Sequence, residues 1–495
     1  MGVIIRQSIQ NSFISYIGIL LGILSTIILF PNILTPDQYG LTRVLLSIAI
    51  ICAQFSHLGM TNIVIRYFPY YNTSGDSRYR LLTLSLGIPL AGFFLFMILF
   101  ILFQDVLISY YIDQSELIVV YNTYLIPLVF AILFFEILNS YVRSLQDSVT
   151  GSFVNEVLIR ILIIILLIVH YFEWLTFRYF MIGFVSIYLI QPVYMLTYLF
   201  INNQLSFSFP FQKETKRLFR DMSVYGAYSL LGGLATLLIG NIDIIMIGML
   251  MDLKSTAVYA IAFYIGSVIT VPQRSIGKIA SPILAGLLKN RKYNEIDQLY
   301  KRTAYNQLIF GVLFYAGIWA NMHNLLDLLP DTYDGIYWVV IIVGLAKLFN
   351  MATGVNGMII INSKHYRFDL YTNILLVILT ITTNLLLIPP YGITGAAIAT
   401  AVSIFVYNFI KFLFVWITFK MQPFQWNALG VVMISAVCLG LSFLVPYMMN
   451  FFVDLMVRSL MIAAVFLGAV LAFGLSDDVK NLVTETLRRV QTLWD

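Results

Sequence analysis

Apolar residues in this chain neither alternate nor recur in helical stripes. They fill long, nearly continuous stretches parted by short polar joints. At about 20 residues per membrane crossing, the stretches predict fourteen spanning helices. These lie near 9–31, 41–65, 82–104, 117–140, 151–172, 177–201, 222–249, 256–284, 303–322, 336–361, 367–388, 393–420, 426–446 and 452–474. The tightest joint, Pro389-Pro390-Tyr391-Gly392, separates the eleventh span from the twelfth. The longest polar interval, 202–221, separates the first six from the next six.

The segments flanking that interval look alike. The first span opens Tyr16-Ile17-Gly18 and the seventh Tyr225-Gly226, while the second closes Arg66-Tyr67-Phe68-Pro69 and the eighth Lys278-Ile279-Ala280-Ser281-Pro282. Six spans per half preserve orientation, so the halves read as parallel repeats, an architecture in which substrate sites lie near the midplane. The expected organisation is an N-terminal lobe at 1–201, a cytoplasmic linker at 202–221, a C-terminal lobe at 222–420, and two further spans with a tail at 421–495. Glycines and prolines inside spans, such as Gly18, Pro89, Gly240 and Gly354, fit close packing and tolerated kinks. Gly232-Gly233 and Pro272 are placed where hinges would serve.

Composition agrees with the pattern. The chain is 60% hydrophobic and 11% charged, with a mean hydropathy of +0.89, whereas soluble domains run near 25% charged. The first apolar stretch lacks a small-residue cleavage site and reads as the first span, not a signal peptide. Of the 29 Lys and Arg, only Arg178, Lys254 and Arg458 fall on one side of the predicted membrane. Five are counted apart as charges within spans: Arg43, Arg160, Arg274, Lys278 and Lys347. All others, including Lys213, Lys216, Arg217, Arg220, Lys411, Arg488 and Arg489, fall on the opposite side. This bias places both termini in the cytoplasm. The net charge of +5 then belongs to loops that meet anionic headgroups and does not point to nucleic acid.

Several classes are excluded. The chain has no phosphate-binding G-x-x-x-x-G-K-[ST] loop. His57, His170, His323 and His365 are scattered, Cys52 and Cys438 both lie in spans, and no nucleophile elbow is present. No resident cofactor, metal site or enzymatic reaction is indicated.

The candidate chemistry is ionic. A charge at the bilayer centre costs about 2.5–3.5 kcal/mol on insertion scales and normally faces a cavity or a partner. Arg274 and Lys278 are one turn apart in the eighth span, with no acid within a turn. Lys347, in the tenth, is isolated. These three predict a hydrated cationic surface suited to an anion, since Arg grips phosphate with two donors and Lys acts as a point charge. Arg66 reads either as a headgroup anchor or as part of that surface. Arg160, about 13 Å inside the fifth span at 1.5 Å per residue, is either a cavity residue or the i,i+4 partner of Glu156. Glu136 in the fourth span and Asp243 in the seventh are acids within spans, each a candidate proton or sodium site. Asp243 with Asn241 could hold a sodium ion or proton, or could pair with a cation such as Lys347. Polar in-span residues such as Gln54, His57, Asn350 and Asn384 either meet sugar hydroxyls or bond between helices.

Three stretches carry a resemblance. They are Leu34-Thr35-Pro36-Asp37-Gln38-Tyr39-Gly40-Leu41; Leu58-Gly59 with Arg66-Tyr67-Phe68-Pro69; and Asn241-Ile242-Asp243 with Ile247-Gly248, Val258-Tyr259 and Ala262. With fourteen spans, the chain resembles the bacterial polysaccharide-biosynthesis flippases of the multidrug/oligosaccharidyl-lipid/polysaccharide exporter superfamily. The resemblance implies an all-α membrane protein with two six-helix lobes around a central cavity and two C-terminal helices. It further implies ion-coupled movement of undecaprenyl-pyrophosphate-linked oligosaccharide across the bacterial cytoplasmic membrane, by a monomer, for O-antigen or capsule assembly alongside other assembly proteins. Lipid II flippases and multidrug exporters of the same superfamily are the alternatives. A membrane glycosyltransferase would need larger outer loops than these, and a scaffold would not need charges within spans.

Overall fold

The computed structural model describes residues 2–71, 75–111, 115–206, 215–448 and 450–481. Of the loop cations named above, Lys213, Arg488 and Arg489 lie outside the described residues. All regular structure among the described residues is helical. In a bilayer every backbone N–H and C=O must find its partner within the segment, and a helix supplies this.

Each of the fourteen expected segments is mainly helical. Ten described helices are long and apolar enough to cross a membrane, or eleven with the pair Ile336–Ala352 and Asn356–Asn362, bent by 51°. The helix Tyr366–Phe419 counts once among these, although Gly392 (φ 58°, ψ −140°) breaks it after Pro389 and Pro390. That left-handed backbone is open to glycine and strained for other residues. Thr215–Leu250 and Tyr293–Ala320 hold two more expected segments and are not among the ten. Helical character is thus observed throughout, while the count of fourteen stays an expectation.

The second expected span, 41–65, is not one helix. Pro36–Ser56 ends at His57, and Met60–Tyr71 begins a new helix. Leu58 (φ 50°) and Gly59 (φ 78°) take the left-handed conformation between them. At its other end, Pro36–Ser56 starts with a reciprocal cap. The Thr35 hydroxyl accepts from the Gln38 N–H (3.3 Å), and the Gln38 amide oxygen accepts from the Thr35 N–H (3.2 Å).

The chain forms two compact units, residues 1–260 and 261–495. In the first, Pro36–Ser56 packs against Leu125–Ser144, Thr215–Leu250 and Gly75–Tyr111. In the second, Tyr366–Phe419 packs on Ile336–Ala352 and Asn356–Asn362, while Tyr293–Ala320 receives Asn427–Leu444 and Phe451–Ala472. Tyr305, Leu308, Ile309 and Val312 meet Val431, Cys438, Phe466 and Val470 in that last contact.

Ion pairs fasten the second unit. Lys411 and Arg458, which the charge count assigns to loops, are both buried within helices. Lys411 binds Asp369 (2.6 Å) and also meets Tyr407. Asn373 closes the ring, donating to Asp369 (3.0 Å) and accepting from Tyr407 (2.8 Å). Arg458 binds Asp454 (2.7 Å) and donates to the carbonyls of Ser442 (2.7 Å) and Val445 (3.0 Å), which end the preceding helix. Asn324 donates to the same carboxylate (2.6 Å). Beyond the last span, Asp478 accepts from Arg302 and Asn306. The Arg302 guanidinium, foremost, holds the Asp478 carboxyl below its ordinary value.

Candidate functional site

Arg274 and Lys278 lie on Val271–Lys289, one turn apart as their spacing requires. Both are exposed, and neither has an ion pair among the described residues. Gln273, the neighbour of Arg274, accepts from Asn350 (3.2 Å), linking this helix to Ile336–Ala352, which carries Lys347. The Lys347 ammonium sits 4.7 Å from the centre of the Phe263 ring, so an aromatic face offsets part of its charge. The structure therefore brings the three cations of the second unit onto neighbouring helices.

The two expected cations of the first unit differ. Arg66 is exposed on Met60–Tyr71 with its guanidinium 4.2 Å over the Tyr225 ring. Arg160 is half-buried, pairs with Glu156 (3.4 Å) and binds the Gly18 carbonyl. Its charge is met locally, as the i,i+4 alternative anticipated. Glu156 belongs to a π-helical turn, Val154–Leu158, and Gly18 makes room for its side chain.

Asp243 is fully buried and accepts from the Tyr259 hydroxyl (2.6 Å). The Asn241 amide instead donates to Leu237 on its own helix (2.8 Å). Two residues apart on a helix do not share a face, so these side chains are not brought together.

Glu136 lines a cavity of about 380 Å³ inside the first unit. Its wall includes Leu46, Ile50, Gln54 and His57, spaced as one stripe of Pro36–Ser56. Asn155, Tyr188 and Gln191 complete the polar lining. His57 bonds Gln54 (2.7 Å) through Nε2, and its Nδ1 accepts from the Gly59 N–H (2.9 Å). Gln191 donates to Asn155 (3.3 Å). One turn beyond Leu46 on the same stripe, Arg43 lies over the Phe30 and Tyr39 rings (5.1 and 4.8 Å), with a buried Nε that has no hydrogen-bond partner among the described residues. Sequence reasoning found Glu136, Gln54 and His57 as separate residues. Asn155, Tyr188 and Gln191 went unread, although Gln191 inside the apolar run before Pro192 was a visible signal. Among the described residues no cluster of His, Cys, Asp and Glu could hold a metal ion.

A sequence model described as polysaccharide biosynthesis protein matches residues 5–287. No curated protein matches the chain in sequence. Among solved structures, a lipid II flippase MurJ in an inward closed conformation aligns over 94% of this chain and 98% of its own, with a TM-score of 0.74 and 15% identity. An inward-facing multidrug resistance MATE family transporter of the MOP superfamily covers 83% of this chain and 94% of its own, with a TM-score of 0.63 and 14% identity. A MATE structure in complex with MaL6 gives 84%, 96%, 0.56 and 13% respectively. At these identities the similarity is one of fold.

Proposed function

The chain belongs to the polysaccharide biosynthesis protein family, and from that premise we propose that it is a flippase for undecaprenyl-pyrophosphate-linked oligosaccharide. It is a multi-pass membrane protein with a transporter fold. In this reading it moves its cargo from the cytoplasmic to the outer leaflet of the bacterial cytoplasmic membrane by alternating access. The movement supplies surface polysaccharide of the O-antigen or capsule type.

The observation that carries the reading is the Arg274–Lys278 face. Two like charges one turn apart, exposed and with no ion pair among the described residues, suit a diphosphate, whose charge exceeds what one cation offsets. Lys347, on a neighbouring helix of the same unit, extends this surface, and Arg66 is the candidate cation that the first unit offers. Arg160 contributes less, because Glu156 already neutralises it. Asp243 and Glu136 are the residues for coupling to a sodium ion or proton, with Asn241 the weaker member. The fold similarity to a lipid II flippase keeps a lipid II cargo as the second reading.

Depletion of the protein tests the proposal. Loss of one surface glycan, with its lipid-linked precursor accumulating on the cytoplasmic face, is expected. Unchanged glycans with altered tolerance to cationic drugs would move the assignment to multidrug export. Arg274→Ala combined with Lys278→Ala should abolish glycan export while membrane insertion stays normal. Normal export by that variant would remove this face from the mechanism.

A further inference from the structure

The break in the second expected span opens onto the polar cavity of the first unit. Its backbone is set by a histidine. The His57 Nδ1 accepts from the Gly59 N–H at 2.9 Å, so this nitrogen carries no proton and the neutral ring must bear its hydrogen on Nε2. That hydrogen is donated to the Gln54 side-chain oxygen at 2.7 Å. Both ring nitrogens are thereby committed, and the tautomer is fixed by geometry. Around this bond the backbone is unusual, with left-handed φ at Leu58 and Gly59. A Cβ at Gly59 would overlap the Gly226 carbonyl, so the turn is tightly packed as well as strained.

We propose that His57 is a proton-binding site, with Glu136 of the same cavity lining as its counter-charge, and that its occupancy sets the geometry of the break between the helices Pro36–Ser56 and Met60–Tyr71. The proton passes from a hydronium ion in the cavity to Nδ1, leaving water behind. An imidazolium has two donors and no acceptor, so the Gly59 N–H loses its partner. The bond that holds the break in its present form is then gone.

The cavity suits a proton better than a metal cation. At about 380 Å³ it has room for several waters. The Gln54 and Asn155 side-chain oxygens are already engaged, with His57 and Gln191 respectively, and among the described residues no cluster of His, Cys, Asp and Glu could hold a metal ion. Other charged and titratable groups of this unit come from several helices. Tyr188 lines the same wall and lies in the field of Arg43 and Arg160, while Arg143 acts on Glu136 from two turns along its helix. Arg66 stands on the helix that follows the break, above Tyr225. Re-aiming that helix would move Arg66, a consequence for cargo that rests on the flippase reading of the preceding subsection.

The test needs no cargo, so a wrong cargo assignment leaves it intact. Hydrogen exchange of peptides covering 57–63 is measured on the full chain in lipid nanodiscs in steps from about pH 8 to about pH 3, a range wide enough for a buried histidine, and corrected for intrinsic exchange. Exchange near Gly59 should be severalfold faster in acid. In His57→Asn, whose side-chain oxygen can accept from Gly59 but does not titrate, the pH difference should vanish. In Glu136→Gln the step should move to lower pH, because the imidazolium loses its counter-charge. An unchanged pH difference in His57→Asn would overturn the proposal. So would wild-type protein that shows no difference, a result that does not depend on any variant folding.

Discussion

Breaking the Asp454–Arg458 pair should cost more stability than breaking any exposed pair of this chain. Both side chains are buried, and removing one leaves the other charged and uncompensated, a loss of about 3–5 kcal/mol. Arg458→Leu should therefore unfold at clearly lower temperature in detergent, as followed by intrinsic fluorescence. Lys292→Ala, which removes an exposed pair with Glu295, should shift the midpoint little. Asp478 gives a pH signature. Its carboxyl is held below its ordinary 3.8 by Arg302, so its contribution is complete above that value and is lost as pH falls through the lower folded-state one. Hydrogen exchange at 476–481, corrected for intrinsic exchange, should thus stay unchanged from neutral pH to about pH 5 and rise only below about pH 4. The spacing of Asp454 and Arg458 was in the sequence throughout. What composition could not show is that the pair is buried, since the charge count treats every loop-adjacent cation alike. Lys411 counts as a loop charge for a different reason: its partner Asp369 lies 42 residues away, beyond any local pattern.

Helices and their ends were legible where one residue type decides the geometry. Proline and glycine at 389–392 announced a joint, and Gly392 breaks the helix there. Thr35 and Gln38 stand at capping spacing and form the cap. Leu58-Gly59 was noticed only as part of a motif, yet it ends one helix and begins another, because a glycine inside an apolar run gives no signal that separates kink from close packing. Gly59→Ala should be severe, since it adds a strained φ to an overlap with Gly226. It should remove the export phenotype and lower the yield of folded protein on gel filtration. Thr35→Ala should cost about 1 kcal/mol, visible as a small fall in unfolding temperature with export retained. The cavity of the first unit was the least legible element, since Glu136, Asn155, Tyr188 and Gln191 come from separate stretches that only the packing brings together.

For the whole molecule, apolar stretches and the cation bias were enough to reach a many-helix membrane protein, because hydrocarbon leaves the backbone few alternatives. The helices Asn427–Leu444 and Phe451–Ala472 read as an appendix, but they cover an apolar face of Tyr293–Ala320. Ending the chain after Lys420 should expose that face and leave Asn324 without its carboxylate. Such a truncation should accumulate at much lower levels than the full chain, measured by membrane immunoblot. There is also a consequence in time. Tyr305 donates to the Leu475 carbonyl across 170 residues of sequence. At ribosomal rates of about 5–20 residues per second, that separation is on the order of 10–30 seconds. For that long the uncovered helix stands in the bilayer before its cover is made. Whatever shields it in the interval, lipid or insertion machinery, is a transient partner that the finished protein no longer displays.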